Sequence, residues 1–177
     1  MITDDIIQFG GYAWRVLITA DNKALIISDK IIVKQEYGIT SSWKDCDLRV
    51  FLNRSFYDNK FTKQEKVQII ETQIKTGDSY TEDKVFILSV QEIIQYFGDS
   101  GQLARGNKYI DDEYNQARIA IDKESNKVSW WFLRTSYDPD NLAMCVSDDG
   151  GIYVSGHGIT VKKAGIGGVR PVLWLSI

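Results

Sequence analysis

The sequence predicts an α+β domain made of small antiparallel sheets with two to three flanking helices. Three observations lead there. Short β-branched and aromatic runs stand at both ends of the chain, the middle switches to helical spacing, and that middle carries two capping-box signatures. Strands at the two ends can pair in one sheet with the helices packed outside it. At 177 residues, 44% hydrophobic and 12% aromatic, the chain is long and apolar enough for one sizeable core. It reads as a single domain over 1–177, without internal repeats or low-complexity segments.

Taken in order, Tyr12 to Ile18 and Ala24 to Ile27 are strand-like and flank the turn residues Asp21-Asn22, which predicts an antiparallel hairpin. A third run, Ile31-Ile32-Val33, precedes a loop from Gln35 to Ser42. Leu48, Phe51, Leu52 and Phe56 then recur at helical spacing, so Cys46 to about Asp58 is expected to be an amphipathic helix with Trp43 near its start. Thr62 with Glu65 and Ser89 with Glu92 each place a hydroxyl and a carboxylate three residues apart, the signature of a helix N-terminus. The first helix is short and turns into an extended segment at Val67 to Ile70. The second covers Ile93 to Phe97 and stops at Gly98, where a glycine suits a helix end.

Between these helices Val85-Phe86-Ile87-Leu88 reads as a buried strand. Asp99 to Asn107 is polar loop, and Glu113 to Ile121 has room for one helical turn. Strands resume at Trp130 to Arg134, Leu142 to Val146, Ile152 to Val154 and Val169 to Leu175, separated by glycine, aspartate and asparagine. Trp130 and Trp131 are neighbours in a strand and must face opposite ways.

Composition excludes several function classes. With 21 basic and 24 acidic residues mixed along the chain and a net charge of −3, no basic stripe is available for a nucleic-acid backbone. No run approaches the roughly 18 apolar residues of a membrane span. The start, Met1-Ile2-Thr3-Asp4-Asp5, lacks a basic and then apolar export signal, which makes the cytoplasm the expected compartment. Cys46 and Cys145 lack metal-ligand spacing. Free thiols are the expectation, although one disulfide between them also fits the sequence.

Three hydrophobic-arginine motifs stand out: Leu48-Arg49, Leu133-Arg134 and Val169-Arg170-Pro171. A guanidinium among large apolar residues needs a carboxylate or carbonyl oxygens, and Asp47 or Glu65 are the acids expected to supply them. Together with Phe9-Gly10, Tyr12-Ala13-Trp14-Arg15-Val16-Leu17, Trp43, Leu52-Asn53, Val85-Phe86-Ile87-Leu88-Ser89 with Glu92, Trp131-Phe132 and Gly168, these motifs resemble a bacterial family known as domain of unknown function 6273. The likeness spans nearly the whole chain.

That resemblance implies a C-type-lectin-like fold, the one shared by sulfatase-modifying factors and the variable receptor proteins of diversity-generating retroelements. It makes Trp43, Leu48, Arg49, Asn53, Trp131, Arg134 and Arg170 the structural motif, and it implies no established activity. The Glu-Pro-Asn and Trp-Asn-Asp motifs of calcium-dependent lectins are absent from the sequence, as is the paired-cysteine site of formylglycine-generating enzymes. Neither chemistry is carried over.

The chemistry-bearing residues point to recognition. Gly165, Gly167 and Gly168 lead into a strand rather than a helix, unlike a phosphate-binding loop, and read as a loop before a core strand. His157, the single imidazole, lies between glycines in what reads as a loop, and no strained nucleophile turn accompanies it. Cys145 reads as a small buried hydrophobe. Asp138, Asp140, Asp148 and Asp149 offer oxygen ligands to calcium, but turn chemistry accounts for them and no cofactor is expected.

The sequence thus predicts a non-enzymatic module that binds a protein or glycan through C-terminal loops, at Tyr137, Asp138, Asp140, Asn141, Asp148, Asp149, Tyr153 and His157. Tyrosine, aspartate and asparagine on loops above a rigid sheet give broad, adaptable contact. An assembly subunit and an enzyme with a small-molecule pocket are the alternatives. The first requires a large apolar surface patch, the second an enclosed pocket with perturbed titratable groups.

Overall fold

The computed structural model describes residues 5–137, 142–158 and 166–177. The chain opens with three antiparallel strands, β1 (Ile6–Phe9), β2 (Tyr12–Ala20) and β3 (Lys23–Ser28). The β2–β3 turn is the expected Asp21-Asn22, with φ of 50° and 59°. Those left-handed values are ones asparagine and aspartate tolerate and a primed hairpin turn requires. β1 lacks a clear alternation of apolar and polar residues and was not anticipated; it pairs Ile6 with Arg15 through Phe9 with Tyr12. β4 (Val33–Glu36) begins where the Ile31 run was expected to end, so the strand reaches into the anticipated loop.

The first helical region spans α1 (Asp47–Phe51), a π-helical turn (Leu52–Phe56) and α2 (Tyr57–Lys60), close to the predicted bounds. Both capping boxes form. Thr62 and Glu65 open α3 (Lys63–Gln68), which passes into β5 (Ile69–Ile70), and Ser89 and Glu92 open α4 (Val90–Phe97), which ends at Gly98 with φ 95°. A hairpin that the sequence did not advertise, β6 (Thr72–Thr76) with β7 (Ser79–Asp83), lies between them. Next come β8 (Tyr109–Ile110), the single turn α5 (Asn115–Arg118) and the ribbon of β9 (Ala120–Ile121) with β10 (Val128–Ser129). The C-terminal part supplies β11 (Trp131–Tyr137), β12 (Leu142–Val146), β13 (Ile152–Gly158), β14 (Ile166–Val169) and β15 (Val172–Ser176).

Two of the expected strands do not form as such. Val85 to Leu88 is fully buried but is not a ladder strand. Side chains and a few isolated backbone bonds satisfy its polar groups instead: Asn53 holds both the N–H and the carbonyl of Val85, the Arg134 side chain donates to Ile87 O and its backbone N–H to Leu88 O, and Phe86 exchanges one pair of backbone bonds with Val172. The expected strand Val169 to Leu175 is two strands in different sheets, broken at Arg170-Pro171, where proline has no N–H to continue a ladder.

The two main sheets are β1-β2-β3-β15-β5 and β4-β14-β11-β12-β13-β8, antiparallel except at β11–β14, so the architecture is α+β. The terminal strands do meet in one sheet, since Val172 to Ser176 pairs with Lys23 to Ile27. Buried Trp14, Trp43 and Trp131 anchor the core, each with its indole N–H donated, to Phe9 O, Asp83 Oδ2 and Arg118 O respectively. Burying an indole without such a partner would forfeit much of what its area contributes. No helix among the described residues is long and apolar enough to cross a membrane.

Candidate functional site

The arginines of the three motifs meet partners within the fold, different ones from those the sequence suggested. Arg49 donates from Nε to Asp83 Oδ1 at 2.6 Å. Asp83 also accepts from Trp43 Nε1, Thr81 Oγ1 and Asn53 Nδ2, which makes it the hub of the Trp43, Leu48, Arg49 and Asn53 cluster; Leu48 is fully buried. Arg134 pairs with Glu92, with 2.8 Å from Nη2 to Oε1, and donates to Thr76 Oγ1 and to the Ile87 and Lys75 carbonyls. Arg170 has carbonyl partners, Ser28 O and Asp29 O, and lies over the Trp131 ring at 4.9 Å. Burial pushes its pKa down to about 9. Among the described residues, Arg170 Nη1 and Arg118 Nε are buried without a hydrogen-bond partner.

Asp47 and Glu65 serve elsewhere. Glu65 accepts from Thr62 N and Gly10 N, and these bonds hold its carboxyl below the ordinary value. Asp47 stands in the first turn of α1, where a negative charge suits the helix dipole. Neither acid meets an arginine because the chain folds β7 and α4 onto those guanidinium groups.

The C-terminal candidates divide. Asp138, Asp140 and Asn141 lie outside the described residues, as does Gly165. His157 is in β13, with its backbone paired to Ala143, so it stands in a strand that continues past Val154 rather than in a loop. Tyr137 ends β11, and Lys108 Nζ lies 5.0 Å from its ring centre and 3.3 Å from its hydroxyl. Asp148 and Asp149 form the β12–β13 turn, and Tyr153 is 43% exposed on β13.

Among these, Asp148 and Tyr153 are brought together in a groove of about 350 Å³ on the second sheet, whose lining also includes Trp130, Cys145, Ser147 and Ser155. Sequence reasoning omitted Trp130, Ser147 and Ser155 from the site, and it missed Tyr109 altogether. Alternation along β13 puts Tyr153 and Ser155 on one face, the signal that was available. Trp130 reaches the groove because it crosses β14 where there is no side chain: a Cβ at Gly167 would stand 2.5 Å from the indole Cη2. Gly167 and Gly168 therefore belong to strand packing rather than to a loop. Trp130 and Phe132 meet edge to face at 4.9 Å, with Trp131 buried on the opposite side.

Tyr153 is braced by Tyr109, with ring centres 4.6 Å apart. The Tyr109 hydroxyl donates to Asp149 at 2.7 Å, and burial together with this bond raises the tyrosine pKa. Asp149 is held below the ordinary carboxylate value, first by the Gly151 N–H and then by Tyr109. It is therefore ionised at neutral pH beside the exposed Asp148. Cys145 is a free, buried thiol pushed up to about 12 by burial, so it stays neutral and unreactive at that pH. Among the described residues, no three of His, Cys, Asp and Glu gather as a metal site. The arrangement offers stacking rings, hydroxyls and carboxylate acceptors on a rigid sheet.

No curated protein and no solved structure matches the chain. A family model described as domain of unknown function DUF6273 does match, over residues 21–177, and the chain belongs to that family.

Proposed function

We propose that the protein is a non-enzymatic recognition module of C-type-lectin-like architecture that binds a glycan in the groove between Trp130, Asp148 and Tyr153. The observation that carries this reading is the half-exposed Tyr153 ring, held by Tyr109 beside the Asp148 carboxylate and the Ser147 and Ser155 hydroxyls. An apolar ring face packs on sugar C–H groups, while carboxylates and hydroxyls exchange hydrogen bonds with sugar hydroxyls. Because the ring is already fixed, little side-chain entropy is lost on binding.

The groove lies at the small end of the roughly 300–1,000 Å³ range of ligand pockets. A protein partner would draw on about 800 Å² of surface from each side, so a glycan suits the groove better. The neutral Cys145 thiol supports binding over covalent chemistry. The resemblance and the pairing of the terminal strands in one sheet support the lectin-like reading of the fold.

The test is a glycan array followed by calorimetry on the hits, with chelator and with added calcium. Binding that is lost in Tyr153→Ala and weakened in Asp148→Asn, with unchanged melting, is expected. Hits that both variants retain would move the site elsewhere. An array without hits, together with oligomers that grow with concentration in light scattering, would replace the reading with an assembly subunit.

A further inference from the structure

A second concavity, lined by different residues, lies beside the β1–β2 turn. Its volume is about 210 Å³, and its lining includes Tyr12, Ala13, Asp29, Lys30, Ile32 and Lys123. Lys123 Nζ is 4.3 Å from the Tyr12 ring centre, and Lys60 Nζ approaches the same ring at 6.0 Å. Two ammonium groups thus approach one aromatic ring, and Lys30 lines the same notch, in a chain of net charge −3. The net charge is negative, so a cluster of lysines here is a local feature.

Among the described residues no carboxylate pairs with these lysines, and Lys30 Nζ makes one long hydrogen bond, to Asn126 Oδ1 at 3.4 Å. Among the described residues, salt bridges engage Lys34 and Lys66 but not Lys30, Lys60 or Lys123, and the acid in the lining, Asp29, is taken by Arg15 at 3.1 Å. The backbone that presents them is fixed. Ser28 Oγ donates to the Lys30 carbonyl at 2.7 Å, and Lys123 N donates to Ile31 O at 2.9 Å. Gly11 leaves the mouth open, since a Cβ there would meet nothing within 4 Å.

We infer that this notch binds a small phosphorylated metabolite, with Lys30 and Lys123 on the phosphoryl dianion, Lys60 adding attraction at the rim, and a short carbon skeleton on Tyr12 and Ile32. Ammonium groups act as compact point charges toward phosphate, and two or three of them match a dianion better than a single carboxylate does. The volume admits a phosphoryl group with a short carbon chain.

Glycerol 3-phosphate is the probe, titrated into the 15N-labelled protein at low salt with glycerol as the neutral control. Vesicles carrying phosphatidic acid test the lipid source of the same chemistry. Saturable shifts at Gly11, Tyr12 and Lys123 are expected, weakened at least about tenfold in Lys30→Gln/Lys123→Gln and restored in the double arginine variant. Unchanged melting of the glutamine variant would show that its loss is not unfolding. Shifts that do not saturate, equal affinity in that variant, or binding to vesicles without binding to the soluble probe would each overturn the proposal.

Discussion

The Arg49 guanidinium donates to Asp83 at 2.6 Å across 34 residues of sequence, and the aspartate it meets is completely buried. The pair joins the end of the β6–β7 hairpin to α1. Trp43, Thr81 and Asn53 complete the carboxylate's hydrogen bonds, the condition under which a buried charge is tolerable.

Replacing Asp83 with alanine leaves Arg49 Nε and the Trp43 indole without their acceptor, while Arg49 keeps the Lys44 and Glu82 carbonyls. The expected loss is about 3–5 kcal/mol in urea unfolding, with Asp83→Asn retaining part of it. A loss below about 1 kcal/mol would show that water replaces the carboxylate at little cost.

Burial pushes the Cys46 and Cys145 thiols from 9.0 up to about 12. The folded values lie above the unfolded ones, so their stabilising contribution is intact below pH 9 and is lost as pH rises toward 12. Unfolding midpoints should fall across that window, and less steeply in a variant with both cysteines replaced by alanine. Native protein at pH 8 should resist a thiol reagent that titrates both groups once urea is added.

Gly150 has φ +85°, and a Cβ there would stand 2.0 Å from the Asn115 carbonyl oxygen. Backbone cannot move aside as a side chain can. Gly150→Ala should cost about 2–4 kcal/mol and lower Tm by roughly 5–10 °C. Gly11→Ala, with φ +75° but open space around it, should cost only about 1 kcal/mol. Calorimetry that ranked the two equally would refute the steric argument.

Tyr109→Phe removes the hydroxyl that helps hold Asp149 ionised. Its folded pKa lies below the unfolded one, so the carboxylate stabilises the protein above the unfolded pKa, and that contribution fades as pH falls through the folded value. In the phenylalanine variant the Asp149 titration followed by carbon-13 NMR should move up toward the ordinary range, and acid unfolding should begin at higher pH. An unmoved titration would leave the Gly151 N–H and the Ser147 side chain to hold the carboxylate without Tyr109.

What the sequence determined by itself was local. Helical spacing of Leu48, Phe51, Leu52 and Phe56, the Thr62/Glu65 and Ser89/Glu92 caps and the Asp21-Asn22 turn act over a few residues, and each formed where expected. Two of the seven groove residues were legible too, because Asp148 in the β12–β13 turn and Tyr153 just after it are close in sequence. Tertiary structure decided what depends on distant partners. It gave Arg49 to Asp83 and Arg134 to Glu92, and it split Val169 to Leu175 between two sheets. It also satisfied Val85 to Leu88 with side chains and isolated backbone bonds instead of a ladder and carried Trp130 over Gly167 into the groove. The reason is physical: a buried charge or backbone group needs a partner, and where several residues can serve, the fold selects the one that packing brings within reach.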